Sequence, residues 1–367
     1  MYERYKNCIM SKIIQMSFYT TMDIIELIGM NDIGIGLKDE YKSIERRIKD
    51  IQKAQDGYIN ICAREGKIQY LKYLHENGCE WDEWTSECAA MNGQIECLRY
   101  LHENGCKWDS GWICRYAAEN GHTECLRYLH ENGCKWGKWT CRYAVENGQI
   151  ECLRYLHENG CEWDKCMCRY AAENGHIECL RYLHENGCEW DENVCSYAVV
   201  NGHIECLRYA HENGCEWDKW ICGDAAWNGQ IECLRYLHEN GCSWDKSTCG
   251  RAAWNGRIEC LRYLHENGCE WDEDACSGAA RYGHIECLRY LHENGCEWDE
   301  DACMSAVKDG LIECLRYAPE NGNAWSGRIE CLRYLHENGC PCGDIYQFMC
   351  QGECKEYYER HMKKMKR

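Results

Sequence analysis

The stretch CRYAAENGHIECLRYLHENGCEWD, residues 168–191, decides the fold of this chain. Cys168, Ala171 and Ala172 lie at positions i, i+3 and i+4, which places them on one face of a first short helix. A second amphipathic segment follows at 177–185. An Asn-Gly pair ends each segment, because glycine accepts the left-handed backbone that terminates a helix. The stretch therefore predicts two helices joined by a tight turn.

This stretch is one copy of a unit that recurs along the chain. The pentapeptide His-Glu-Asn-Gly-Cys returns every 27 residues, with one step of 28 and a last step of 44. A single helix pair cannot bury its apolar side chains, whereas stacked copies bury them against one another. No two-residue alternation typical of strands interrupts the units. We predict an all-α fold, a helix-turn-helix repeat solenoid. The pentapeptide begins at His75, His102, His130, His157, His184, His211, His238, His265, His292 and His336.

The repeats divide the chain into three predicted regions. Residues 1–57 do not follow the repeat and form an N-terminal helical cap region, whereas residues 58–340 form a solenoid of about ten to eleven units. The solenoid is irregular at 318–329, where about ten residues of a unit are missing and Pro319 replaces the usual histidine. Residues 341–367 form a C-terminal cap and a basic tail.

Composition excludes several classes of function. A formal net charge of −19 argues against a nucleic-acid partner, since neutralising phosphates requires a basic surface. The first thirty residues lack an apolar run long enough for a signal peptide or a membrane span, so we expect no membrane association and a cytoplasmic location. In that compartment the 35 cysteines stay reduced. We also expect a monomer.

The unit resembles an ankyrin repeat. Three of its segments match the family pattern in register: Ala171-Ala172-x-x-Gly175-His176, then 177–183, then 187–191. The resemblance covers Tyr58 to Cys340 and implies a stack of helix pairs that binds another protein on its concave face.

One departure from the family concerns the connection between repeats. The family unit has 33 residues, whereas this unit has 27, and the missing segment lies between Asp191 and Cys195. The family carries a β-hairpin finger there, so we expect the fingers to be shortened or absent. Such short, Trp- and Cys-rich units are similar to those multiplied in large DNA viruses of amoebae and in some protists. A viral origin would place the protein in the host cytoplasm.

The cysteine and histidine ladders favour packing over chemistry. Metal ligands usually come in close pairs such as Cys-x-x-Cys, whereas Cys168, Cys179 and Cys188 are separated by ten and eight residues. Each of them stands where the family has a small apolar residue, and a buried free cysteine behaves as one. Identical histidines in every unit form no singular site, so we predict partly exposed helix residues there and no catalytic residue, no metal and no cofactor. The tryptophans that recur after the second helix, such as Trp190, are predicted to pack between repeats. A denser set at the C-terminus is the better zinc candidate: Cys340, Cys342, Cys350, Cys354 and His361.

The predicted binding residues lie where the copies differ, because the copies agree where stacking requires it and we expect the variable positions to have no part in stacking. In the family, the residue after Ala-Ala lies on the concave face, and here it changes along the chain from acidic to apolar to basic. The position two residues before the first-helix cysteine also varies. Adjacent aromatic residues bordered by charges are typical of a binding hot spot. The predicted partner-binding residues are Val200, Trp220, Trp227, Trp254, Arg281 and Lys308.

Three functions fit the sequence. The first is a non-enzymatic protein-binding scaffold or adaptor whose partner the sequence does not identify. The second is a substrate adaptor for ubiquitin ligation that acts through residues 1–57. The third is a Cys-rich protein that buffers metal or redox state.

Overall fold

The computed structural model describes residues 57–108, 111–191, 193–271 and 273–297, together with Tyr334 and Asn338. The chain divides into two compact units, unit 1 at Met1–Glu162 and unit 2 at Trp163–Arg367.

Helix pairs fill the described part of both units, which confirms the predicted all-α fold. No strand occurs among the described residues. Odd-numbered helices are the first helices of the repeats and even-numbered helices are the second helices. Unit 1 contains α1 (57–64), α2 (Ile68–Glu76), α3 (Glu83–Met91), α4 (Ile95–Glu103), α5 (Trp112–Glu119), α6 (Thr123–Glu131), α7 (Lys138–Glu146) and α8 (Ile150–Glu158). Unit 2 contains α9 (Cys166–Glu173), α10 (Ile177–Glu185), α11 (Asn193–Asn201), α12 (Ile204–Glu212), α13 (Ile221–Asn228), α14 (Ile231–Glu239), α15 (Lys246–Trp254), α16 (Ile258–Glu266), α17 (Glu273–Tyr282) and α18 (Ile285–Glu293).

Asn-Gly pairs end the helices as the sequence predicts. The side-chain amide of Asn186 donates to the carbonyl of Tyr182 at 2.7 Å and satisfies one of the last carbonyls of α10. Gly187 follows with a φ of +81°, which a residue bearing a Cβ adopts only at a steric cost. The next amide, that of Cys188, donates back to Leu183 at 2.9 Å and closes the turn.

The core of each unit consists of small residues from first helices and larger residues from second helices. In the repeat at 168–191, Cys168, Ala172, Leu180 and Leu183 are fully buried. Small side chains let neighbouring first helices approach closely, as α9 and α11 do. The predicted apolar faces are therefore confirmed, except that Ile177 is only half-buried at the start of α10.

A His–Trp–Tyr cluster links consecutive repeats, whose connecting segments are too short for a hairpin. The ring of His184 stacks on Trp190 with centroids 3.9 Å apart. Its Nδ1 lies 3.0 Å from the hydroxyl of Tyr209 in the next repeat, over whose ring the Arg181 guanidinium lies at 5.0 Å. The tryptophans thus pack between repeats as predicted. The histidines, predicted as partly exposed helix residues, bond to the next repeat.

Several predicted regions lie outside the described residues. These are the N-terminal region up to residue 56, the irregular segment 318–329 and the C-terminal region 341–367. Within the described part of the chain, no helix is long and apolar enough to cross a membrane.

Candidate functional site

Three first helices of unit 2 carry the most distinctive exposed side chains of that unit. Helix α13 packs against α15, and α15 packs against α17. The residue after the Ala-Ala pair in these helices is Trp227, Trp254 and Arg281, in that order. Trp227 is 43% exposed, Trp254 is 38% exposed, and Arg281 is exposed as well. The fold therefore brings these three predicted residues onto adjoining helices, with two large apolar rings in contact with solvent.

Trp254 is anchored on the neighbouring helix. Its indole Nε1 donates to the carbonyl of Asp274 at 2.8 Å. The ring covers Gly278, where any Cβ would overlap the indole. We expected the position after Ala-Ala to have no part in stacking, and for Trp254 that expectation is wrong, because the missing side chain at Gly278 leaves room for the ring. One side of Trp254 packs against α17 and the rest faces solvent.

A salt bridge crosses from α13 to α15 beside the tryptophans. Arg251 Nη1 lies 3.0 Å from Asp224 Oδ1. The guanidinium occupies the space over Gly223, where a Cβ would lie 3.0 Å from Nη1. Burial is the main influence on the Asp224 carboxyl and raises its pKa, while the charge of Arg251 opposes the rise. Asp224 and Trp227 are three residues apart, so both lie on the same face of α13.

Two arginines of this surface were not predicted from the sequence. Arg251 stands two residues after the first-helix cysteine, where four earlier copies have tyrosine. Arg257 is exposed, and its Nε donates to the carbonyl of Trp227 at 3.3 Å; seven other copies have histidine or glutamine there. Comparison of the copies at these two positions would have found both. We call the following set the Arg–Trp surface: Trp227, Trp254, Arg251, Arg257 and Arg281.

The remaining predicted residues border this surface or fall outside the described chain. Val200 is half-buried in α11, and its carbonyl accepts a hydrogen bond from Gln230 at 3.2 Å. Trp220 is exposed at the start of α13, with the Lys219 ammonium 4.7 Å from its ring centroid. It stands seven residues before Trp227, or roughly 10 Å along the helix axis. Lys308 lies outside the described residues.

The corresponding face of unit 1 is built differently. Glu119 and Glu146 stand at the position after the small pair, and each is paired within its own helix, to Arg115 at 3.4 Å and to Arg142 at 2.7 Å. The Arg115 guanidinium also lies 3.6 Å from the ring centroid of Tyr143. Ion pairs on this face thus form within one helix, whereas beside the Arg–Trp surface the pair of Arg251 with Asp224 joins two helices.

The described residues contain no group of three or more His, Cys, Asp or Glu side chains that could hold a metal ion. All but two of the described free cysteines are buried; the exceptions are Cys79 and Cys166, which are half-buried. The C-terminal set proposed for zinc lies outside the described residues.

Comparison with known proteins gives one family. A family model described as "Ankyrin repeats (3 copies)" matches residues 59–138, 87–167, 168–248 and 249–345. Among solved structures, the chain is similar to the ankyrin repeat domain of human ASB11, with 18% identity and a TM-score of 0.39 over 52% of this chain and 96% of that one. The comparison with curated proteins finds no match.

Proposed function

Because this chain belongs to the ankyrin repeat family, we propose that it is a non-enzymatic scaffold that binds a partner protein on the Arg–Trp surface of unit 2. The observation that carries the proposal is the exposure of Trp227 and Trp254 on adjoining helices. Large exposed rings are costly in water unless a partner covers them, and aromatic and arginine side chains dominate binding hot spots. Val200 and Trp220 form the edge of this surface.

The charges select the kind of partner. The chain has a net charge of −19, yet three arginines gather beside the two indoles. A partner segment with one apolar side chain for Trp227 and acidic side chains for Arg257 and Arg281 satisfies both features. Attraction between opposite charges accelerates the encounter of the two proteins, and added salt weakens this attraction.

We further propose that the scaffold acts as a monomer in the cytoplasm. The net negative charge of the chain disfavours phosphate-bearing partners such as nucleic acids. Light scattering of the purified chain tests the monomeric state directly.

Selection from a random peptide library displayed on phage tests the function. The full chain is the target, and the enriched peptides are synthesised for affinity measurement. We expect enriched sequences to combine one aromatic or aliphatic residue with neighbouring Asp or Glu. Failure to enrich any common pattern, or enrichment of basic peptides, would contradict the proposal.

A matched pair of variants locates the site. Trp227→Ala should weaken binding of the enriched peptides by at least about tenfold, the usual effect of removing a hot-spot aromatic side chain. Trp112→Ala is the control, because Trp112 is a first-helix tryptophan of unit 1 with an exposure of 55%. If both variants weaken binding equally, or neither does, the Arg–Trp surface is not the site.

A further inference from the structure

Seven repeats carry two cysteines that face each other across the repeat. The first is in the first helix, and the second is in the loop after the second helix, always 20 residues later. The first-helix cysteines are at most 1% exposed, whereas the loop cysteines are 3–7% exposed at the edge of the core. These seven pairs, which we call the repeat dithiols, are Cys114–Cys134, Cys141–Cys161, Cys168–Cys188, Cys195–Cys215, Cys222–Cys242, Cys249–Cys269 and Cys276–Cys296.

The two cysteines of each repeat dithiol are in contact. The Sγ–Sγ distance is 2.7 Å in Cys114–Cys134, 2.7 Å in Cys222–Cys242 and 2.9 Å in Cys276–Cys296. In three further pairs the first-helix Sγ lies 3.8 Å from the carbonyl oxygen of its loop partner. The seventh pair, Cys141–Cys161, is disulfide-bonded, with its Cα atoms 6.7 Å apart, so the expectation that all 35 cysteines stay reduced is wrong for this pair. That separation is within the range of about 4.4–6.8 Å that disulfides span.

We propose that the repeat dithiols are sites of reversible oxidation, at which hydrogen peroxide converts each pair into a disulfide within its own repeat. The proposal is independent of partner binding. In the first step the loop thiolate attacks peroxide, an S–O bond forms as the O–O bond breaks, and hydroxide leaves. In the second step the first-helix sulfur attacks the sulfenic acid, and water leaves. Two thiols lose two electrons and peroxide becomes two waters.

The electrostatics within a pair assign these two roles. In Cys114–Cys134, the hydrogen bond that the Cys114 thiol donates lowers the pKa of Cys134, against the opposing effect of burial. The same contact and burial raise the pKa of Cys114. The loop cysteine, nearer to solvent, is therefore the better nucleophile, since the thiolate is the reactive form. The first-helix cysteine, held against it, resolves the sulfenic acid.

Cysteines outside the repeat dithiols serve as controls within the same chain. Ser86 stands at the first-helix position of an earlier repeat, so Cys106 faces a hydroxyl instead of a second thiol, and burial raises the pKa of Cys106. The second-helix cysteines form another ladder without this pairing; burial raises the pKa of Cys125 and Cys233 to about 12. Neither Cys106 nor these second-helix residues should form disulfides.

Mass-spectrometric mapping of the full chain tests the proposal. The protein is fully reduced, freed of reductant, treated with hydrogen peroxide and alkylated in denaturant before non-reducing digestion. We expect cross-linked peptides that join cysteines 20 residues apart, and alkylated thiols at Cys106 and at the second-helix cysteines. Thiols that persist in the seven pairs at excess peroxide, or cross-links scattered among all cysteines, would overturn the proposal.

A variant pair tests the pairing itself. Cys222→Ser recreates the Ser86–Cys106 arrangement, so the link to Cys242 should vanish and Cys242 should stay an alkylatable thiol, as Cys106 does. Cys233→Ser removes a second-helix thiol and should leave the 222–242 link intact. A cross-link from Cys242 to another cysteine, in a Cys222→Ser variant with unchanged helical content, would contradict the proposed pairing. Should Cys222→Ser fail to fold, the mapping of the native chain still decides the proposal.

Discussion

At the scale of single residues, two glycines near the Arg–Trp surface differ in whether the packing requires them. Position 278 requires glycine, because the Trp254 indole fills the space that a side chain would occupy. Position 250 does not require glycine, since a Cβ there would meet nothing within 4 Å. Both glycines lie inside first helices, where glycine is less stable than alanine unless something needs the space.

The two glycines predict opposite effects of the same substitution. Gly278→Ala should displace the Trp254 ring and lower the free energy of unfolding by about 1–3 kcal/mol, as overpacking does. Gly250→Ala should raise it by about 0.5–1 kcal/mol, because alanine restricts the unfolded chain. Urea unfolding measures both. A destabilising Gly250→Ala, or a neutral Gly278→Ala, would contradict the described packing.

At the scale of helices and their junctions, hydrogen bonds between repeats add to apolar stacking. His211 Nδ1 lies 2.9 Å from the hydroxyl of Tyr236, a residue that is 8% exposed. The same contact recurs along each unit wherever a repeat carries the histidine and the next carries the tyrosine. A junction with this contact therefore has a polar bond as well as an apolar contact, and the bond fixes which face of one repeat meets the next.

This contact gives a second prediction. Tyr236→Phe keeps the ring and removes the hydroxyl, so it should lower the free energy of unfolding by about 1 kcal/mol, the usual net value of one hydrogen bond. Tyr282→Phe is the control at an exposed tyrosine and should stay within about 0.5 kcal/mol. Equal melting temperatures for both variants would show that the His–Tyr contact adds no stability.

The sequence predicted the elements well and their junctions poorly. Helix positions followed from the spacing of residues such as Ala171 and Leu180 and from the Asn-Gly stops, because these are local effects. The bond from His184 to Tyr209 spans two repeats, and no local pattern gives the orientation of a histidine ring. Trp254 was misjudged for the same reason, since its environment depends on Gly278 in another repeat.

At the scale of the whole molecule, the many buried thiols predict a loss of stability in alkali. Burial raises the pKa of five second-helix cysteines from the ordinary 9.0 to about 12: Cys125, Cys206, Cys233, Cys260 and Cys287. Below pH 9 both folded and unfolded chains keep these protons. Above it the unfolded chain releases protons that the folded chain retains, so stability falls as pH rises toward 12.

The slope of that loss is measurable. Each such thiol should contribute about 1.4 kcal/mol per pH unit to the fall in unfolding free energy above pH 9. Denaturant unfolding of fully reduced protein between pH 8 and pH 11 gives the slope. Cys233→Ala should reduce this slope by the contribution of one thiol, whereas Trp112→Ala should leave the slope unchanged. A slope unaffected by Cys233→Ala would mean that this thiol titrates alike in both states.

The function proposed for the molecule depends on where a partner binds. Fluorine NMR of the full chain labelled with 5-fluorotryptophan observes every tryptophan at once, and Trp227→Phe and Trp254→Phe assign the two decisive resonances. On titration with an apolar, acidic peptide from the library selection, we predict that the Trp227 and Trp254 resonances shift and saturate together. The resonances of Trp112 and Trp139 should stay in place. If only the Trp112 and Trp139 resonances shift and saturate, and the Trp227 and Trp254 resonances do not shift, the Arg–Trp surface is not the binding site.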